Sequence, residues 1–72
     1  MEISPAQCRA ARALLNWNQK TLADKTGVAL KTVRAFETGR TKPLGVTRVA
    51  IKQALEKAGV EFLDGDGVRL RK

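Results

Sequence analysis

Apolar residues recur along this chain in two rhythms, and the change near Gly59 divides it. Before Gly59 the spacing is helical; after it apolar and charged residues alternate. Cys8, Ala11, Arg12 and Leu15 fall at i, i+3, i+4 and i+7 on one face of a first helix, and Ala10, Leu14 and Trp17 form a second apolar edge. Ser4 is a suitable N-cap, Pro5 fits the first helical position and Gln7 completes a capping box, so this helix is expected to run to about Leu15. Two apolar edges on one helix call for cover from two sides.

Asn18 can cap a second helix over Gln19 to Thr26, with Leu22 and Ala23 facing the core and Gly27 as its stop. A third helix follows almost at once, from Leu30 to Thr38, its buried face marked by Val33 and Phe36. Gly39 ends it, and a basic loop carrying Arg40, Lys42 and Pro43 leads to Gly45. A fourth helix is expected over Val46 to Ala58, with Ala50, Ile51, Ala54, Leu55 and Ala58 as its stripe and Gly59 as its end.

Beyond Gly59, Val60 and Phe62 flank Glu61, Asp64-Gly65-Asp66-Gly67 makes a turn, and Val68 and Leu70 alternate with Arg69 and Arg71. This is the pattern of a β-hairpin with oppositely charged outer positions. An isolated hairpin is marginal in water, so it must pack on the helices, pair with another chain, or stay partly disordered. The expected architecture is all-α, a four-helix unit over residues 1–59, followed by a hairpin or strand over 60–72 that is a candidate dimerisation element.

Composition narrows the function. Seventy-two residues make one small domain, for which support from a partner subunit is unsurprising. Fourteen Lys and Arg against seven Asp and Glu leave a net charge of +7, which favours polyanions and above all nucleic acid. A single cysteine, Cys8, excludes an internal disulfide and a multi-cysteine zinc site, and reads as a small core residue. With no histidine, and no paired carboxylates beside a glycine-rich loop, no catalytic constellation assembles, so an enzyme is not expected. The Asp-Gly-Asp-Gly turn lacks the ligand spacing of a calcium loop. No metal, cofactor, small-molecule ligand or membrane span is expected, and the opening residues do not read as a signal peptide; a cytoplasmic, nucleoid-associated protein fits.

The informative stretch is Asn18 to Gly39. Two short helices meet at a tight corner containing Gly27; Ala23 sits where they approach closely, and Val28 and Val33 fill the space between them. Such a corner holds the second helix proud of the body, one face free for a DNA major groove. Together with Leu14-Leu15, Trp17-Asn18-Gln19, Leu22-Ala23, Gly27-Val28, Thr32-Val33, Phe36-Glu37, Gly39 and Pro43, this stretch resembles the Cro/Xre class of helix-turn-helix regulators, over about Arg9 to Gly59. Five helices are usual in that class; here the hairpin takes the place of the fifth.

The resemblance implies roles for individual residues. Gln19 matches a phosphate-contacting glutamine, and Asn18 a cap whose neighbouring N–H groups face the DNA backbone; a helix N-terminus is independently suited to phosphate. Leu30, Lys31, Thr32 and Ala35 match base-reading positions, with Arg34 beside them, and Arg40 and Lys42 match loop positions that grip the sugar-phosphate backbone. Arg12 and Glu37 match an ion pair tying the first helix to the end of the third. Leu30 and Ala35 cannot hydrogen-bond and are suited to thymine methyl groups, which leaves Lys31, Thr32 and Arg34 for polar readout, Arg34 or Lys31 to guanine. Arg48, like Arg40 and Lys42, reads either as a phosphate grip or as a solvated surface charge, and the blander reading makes Lys31 and Arg34 solvated charges as well. Ala29 stands where a capping hydroxyl is frequent, a loss of about 1 kcal/mol.

The expected function is therefore sequence-specific DNA binding by a transcriptional regulator, a repressor, acting as a homodimer on double-stranded DNA. The candidate dimer surface is the hairpin with the Ala10/Leu14/Trp17 edge. The rival reading is a DNA-binding antitoxin or a protein-interaction adaptor using the same fold.

Overall fold

Local capping chemistry sets where the helices begin and end. The computed structural model describes residues 2–40, 42–43 and 45–71, so Thr41 and Leu44 of the predicted basic loop lie outside the described residues. The elements are α1 (Pro5–Leu15), α2 (Gln19–Thr26), α3 (Leu30–Glu37), α4 (Gly45–Lys57), β1 (Val60–Phe62) and β2 (Val68–Leu70). At the head of α1 the Gln7 N–H donates to Ser4 Oγ at 3.0 Å and the Ser4 N–H donates to Gln7 Oε1 at 2.9 Å, a complete capping box. Asn18 Oδ1 caps α2 by accepting from the Thr21 N–H at 2.7 Å. Gly27 closes α2 at φ +74, and a Cβ there would meet nothing within 4 Å. The corner between α2 and α3 therefore needs glycine for its backbone conformation and not for space.

Three helix boundaries differ from the sequence expectation by one residue. Helix α3 ends at Glu37, and Thr38 is its C-cap, its hydroxyl hydrogen-bonded to the Arg34 carbonyl at 3.1 Å. Helix α4 runs Gly45–Lys57 instead of Val46 to Ala58, and Ala58 is exposed. The chain swings at Gly59, φ +111, into β1, which lifts Ala58 off the core.

The core is built where the helical stripes converge: Cys8 and Ala11 from α1, Leu22 and Ala23 from α2, Val33 and Phe36 from α3, Ile51 and Leu55 from α4. Val60 of β1 is as fully buried as any of these, with no exposed surface. Strands β1 and β2 pair antiparallel, Val60 opposite Leu70, Glu61 opposite Arg69 and Phe62 opposite Val68. Side chains alternate across the sheet, so Phe62 and Val68 pack against the core while Glu61 and Arg69 form an ion pair outside. Of the three fates open to the hairpin, packing on α1 and α4 is the one adopted. The join is polar as well as apolar. Gln7, 1% exposed, donates both amide N–H bonds to the hairpin carbonyls of Leu63 and Gly67, at 3.0 and 3.1 Å. The Ser4 hydroxyl, besides capping α1, donates to Asp66 Oδ1 at 2.7 Å.

A buried carboxylate orients α3. Glu37, its last residue, is 1% exposed. Arg12 Nε donates to Oε2 and Arg12 Nη2 to Oε1, both at 2.6 Å; Gln19 Nε2 donates to Oε1 at 3.0 Å and the Cys8 thiol to Oε2 at 3.1 Å. Arg9 Nη1 also hydrogen-bonds the Glu37 carbonyl. Burial alone would raise the carboxyl pKa, but the hydrogen bonds from Arg12, Gln19 and Cys8 outweigh it and hold the group below its ordinary value of 4.5. Burial, reinforced by the Glu37 carboxylate, pushes the Cys8 thiol far up, so it stays protonated and donates.

Removing the carboxylate should be costly, because it strands a largely buried guanidinium. Glu37→Ala is expected to destabilise the fold by about 3–5 kcal/mol. At about 4–8 °C per kcal/mol for a domain of this size, the melting temperature followed by circular dichroism should fall by more than about 12 °C. The Arg12→Met/Glu37→Met double variant, which removes both charges, should recover much of that loss. The same group sets an acid limb. Because the folded-state pKa lies below the unfolded value, the stabilisation is complete above pH 4.5 and is lost as pH falls through the folded-state pKa. Denaturant unfolding at stepped pH should show wild type converging on Glu37→Gln in acid; a constant gap would place the titrating group elsewhere.

Candidate nucleic-acid interface

Burying Val33, Phe36 and Glu37 turns the opposite side of α3 outward. That side carries Lys31, Arg34, Ala35 and Thr38 at i, i+3, i+4 and i+7, the polar counterpart of the buried stripe. These four and Arg40 line a shallow surface cleft of about 480 Å³. Its lining includes no acidic side chain, and among the described residues no ion pair engages Lys31, Arg34 or Arg40. The concentration of cations without ion pairs on one helix face makes this an anion-attracting surface.

The other residues singled out in the sequence are placed differently. Leu30 is half-buried and packs against the core, so its side chain is shared between the protein interior and the exposed face. Thr32 is half-buried at the margin of the cleft and outside its lining. Asn18 is exposed, with its carbonyl oxygen committed to the cap of α2. Gln19 is half-buried, and one amide N–H is held by Glu37, which leaves the second for another acceptor. Lys42 borders a separate cleft, beside Pro43 and Arg48. Arg12 and Glu37 form the ion pair already described, which stands behind the interface and fixes α3.

Thr38 is the residue of this face that the sequence reading did not single out. Its hydroxyl is tied to the carbonyls of Arg34 and Ala35, both at 3.1 Å, so it is held rigidly with its oxygen still able to accept. The signal was present in the outward periodicity of Lys31, Arg34 and Ala35, which returns to the same face at position 38. Ala29 makes no side-chain cap to α3, as its side chain requires, so the head of the helix is held by the packing of Val28, Leu30 and Val33 instead.

Among the described residues no group of three His, Cys, Asp or Glu side chains could hold a metal ion, and no helix is long and apolar enough to cross a membrane. What the face offers is a rigid helix with two long cations and short side chains between them, the shape needed to enter a groove and meet base edges.

Comparison with known proteins agrees with this geometry. A helix-turn-helix family profile matches residues 9–55, about two-thirds of the chain, spanning α1 through most of α4. No curated protein sequence matches. The chain belongs to the Cro/C1-type helix-turn-helix family, a family of DNA-binding regulators.

Proposed function

We propose that this protein is a sequence-specific transcriptional repressor that binds an operator as a homodimer, with α3 in the major groove. The observation that carries the reading is the outward face of α3, where Lys31 and Arg34 stand without counter-ions while the helix behind them is locked through Glu37. Lys31, Thr32 and Arg34 supply polar readout, with Arg34 or Lys31 on guanine; Ala35 and the exposed part of Leu30 supply apolar contact to thymine methyl groups. Asn18 and Gln19 bring the N-terminus of α2 to the backbone, and Arg40 and Lys42 grip phosphates on the other side of α3. Occupancy of the operator is enough to block transcription.

One copy presents one reading helix, so a second copy is needed to read a two-fold operator. Half-sites one helical turn apart, about 34 Å, suit two bodies side by side, and the longest dimension of the molecule is 30 Å. The apolar surface left exposed near the α1–hairpin join includes Leu14 at 38% and Leu70 at 40%. These, with Ala10, Trp17 and the free edge of β2, form the dimer surface. Because Val60 is core, the surface is better probed by substitution than by removing the hairpin.

Selection of bound duplexes from a random pool should return a two-fold symmetric consensus. The Lys31→Ala/Arg34→Ala variant should melt like wild type and lose about 1–3 kcal/mol of discrimination for each base contact removed. Full operator preference in that variant would put the reading surface elsewhere. Leu70→Glu should shift the sedimentation of the DNA-bound protein from two copies per site to one, without unfolding the chain; a retained dimer would rule out the hairpin surface.

A further inference from the structure

The second cationic cleft, on the far side of Gly39 from the reading face, carries an unresolved demand for an acceptor. It measures about 240 Å³ and is bordered by Phe36, Gly39, Lys42, Pro43, Arg48 and Glu2. Arg48, at the end of the first turn of α4, is 22% exposed and donates through Nη2 to Glu2 Oε2 at 2.7 Å. Its Nε is buried and has no hydrogen-bond partner, the only such side-chain atom among the described residues. A buried donor without an acceptor costs about 1–3 kcal/mol, so a polar group that served it would bind there favourably. Lys42, on the same cleft, makes no ion pair among the described residues. Glu2 itself is 69% exposed, a carboxylate held at the mouth of the cleft by Arg48, its one ion-pair partner among the described residues.

These are the parts of a site for an anion with several oxygens: one guanidinium with its edge unfilled, one ammonium and a concave wall. The phosphate grip already given to Lys42 falls in this cleft; we propose that Arg48 completes it, and that Glu2 occupies its mouth in the free protein as an internal counter-ion that the phosphate displaces. The proposal rests on the reading of α3 as the groove-entering helix. The two clefts adjoin at Thr38–Arg40, where Thr38 and Arg40 line the first and Gly39 borders the second, so a duplex engaged by Arg34 and Arg40 runs on toward Lys42 and Arg48. A backbone phosphate presents two non-bridging oxygens, which can serve Nε and Nη2 together where the carboxylate now meets only Nη2. The exchange sets affinity and not base preference, because phosphate contacts carry no sequence information.

The test is titration of the full chain with a random-sequence duplex of about 20 base pairs over a series of salt concentrations. Glu2→Gln should bind more tightly than wild type, by about threefold or more, because the competitor is gone. Arg48→Ala should weaken binding about tenfold and make the log–log salt dependence shallower by about 0.9, one phosphate. In the Arg48→Ala background the gain from Glu2→Gln should vanish. Glu61→Gln removes an equal charge from the hairpin and should change affinity by less than about twofold, which separates displacement from net charge. A Glu2→Gln gain no larger than that of Glu61→Gln, or one that persists without Arg48, would overturn the proposal, as would an unchanged slope in a folded Arg48→Ala. Should Arg48→Ala fail to fold, the Glu2→Gln and Glu61→Gln comparison still decides, since both of those carboxylates are on the surface. A wild-type chain with no salt-dependent duplex binding would instead refute the DNA-binding reading itself.

Discussion

The buried carboxylate of Glu37 is the constraint on which the presentation of α3 depends. Every side-chain donor to it comes from outside α3: Arg12 and Cys8 from α1, Gln19 from the first turn of α2. A charge placed out of water has few satisfactory environments, and this one is satisfied by four hydrogen bonds from fixed positions. The C-terminal end of α3 therefore has a defined place relative to two other helices. Its N-terminal end has no side-chain cap and is held by apolar packing, with the corner before it tied by the Val28 N–H donating to the Thr26 hydroxyl. Burial of an ion pair contributes little net stability compared with an apolar replacement, but it distinguishes one arrangement of helices from others that would bury the same apolar area. For a protein whose task is to aim a helix, that distinction is the useful quantity.

The charge balance follows a related logic. Glu37 is matched by Arg12, Asp24 by Lys20, Glu61 by Arg69 and Glu2 by Arg48. The exposed pairs among these are worth little as stabilisation. Their consequence is spatial, because each pairing removes an acid that would otherwise offset the field of other cations. Lys31, Arg34 and Arg40 are such cations and lie around one cleft. These three add an uncompensated positive field on that side, which raises encounter with a polyanion there.

Much of the fold was legible in the sequence because the decisive signals are local. Ser4 with Gln7, Asn18 with Thr21, and Gly27 act within a few residues of themselves, and they placed α1 and α2 to the residue. The alternation from Val60 to Leu70 likewise located both strands. What the sequence did not reveal is contact between distant segments. Nothing near Gln19 announces that its amide is held by Glu37, and nothing near Leu30 announces that half its surface belongs to the core. The Arg12–Glu37 pairing was available only through resemblance to a family. The Cys8 thiol bond to the same carboxylate was not anticipated, because a buried cysteine reads as apolar until its neighbours are known. Ala58 was misassigned because helical spacing continues through it while the backbone, turning at Gly59, does not.

The hairpin shows how local and distant demands meet in single residues. Ser4 and Gln7 would cap α1 in any surroundings, yet both also hold the turn of the hairpin, Ser4 through Asp66 and Gln7 through the carbonyls of Leu63 and Gly67. The two functions use different atoms: Gln7 Oε1 accepts from the backbone of the cap while its amide nitrogen donates across to the strands. A capping box that ends on a serine and a glutamine can thus serve as a docking site for a second element, which one ending on an ionised glutamate, without N–H donors, could not. With Val60 completing the core from the other side, the hairpin does for α1 what two apolar edges on that helix require. The cover is incomplete, since Leu14 and Leu70 remain partly exposed.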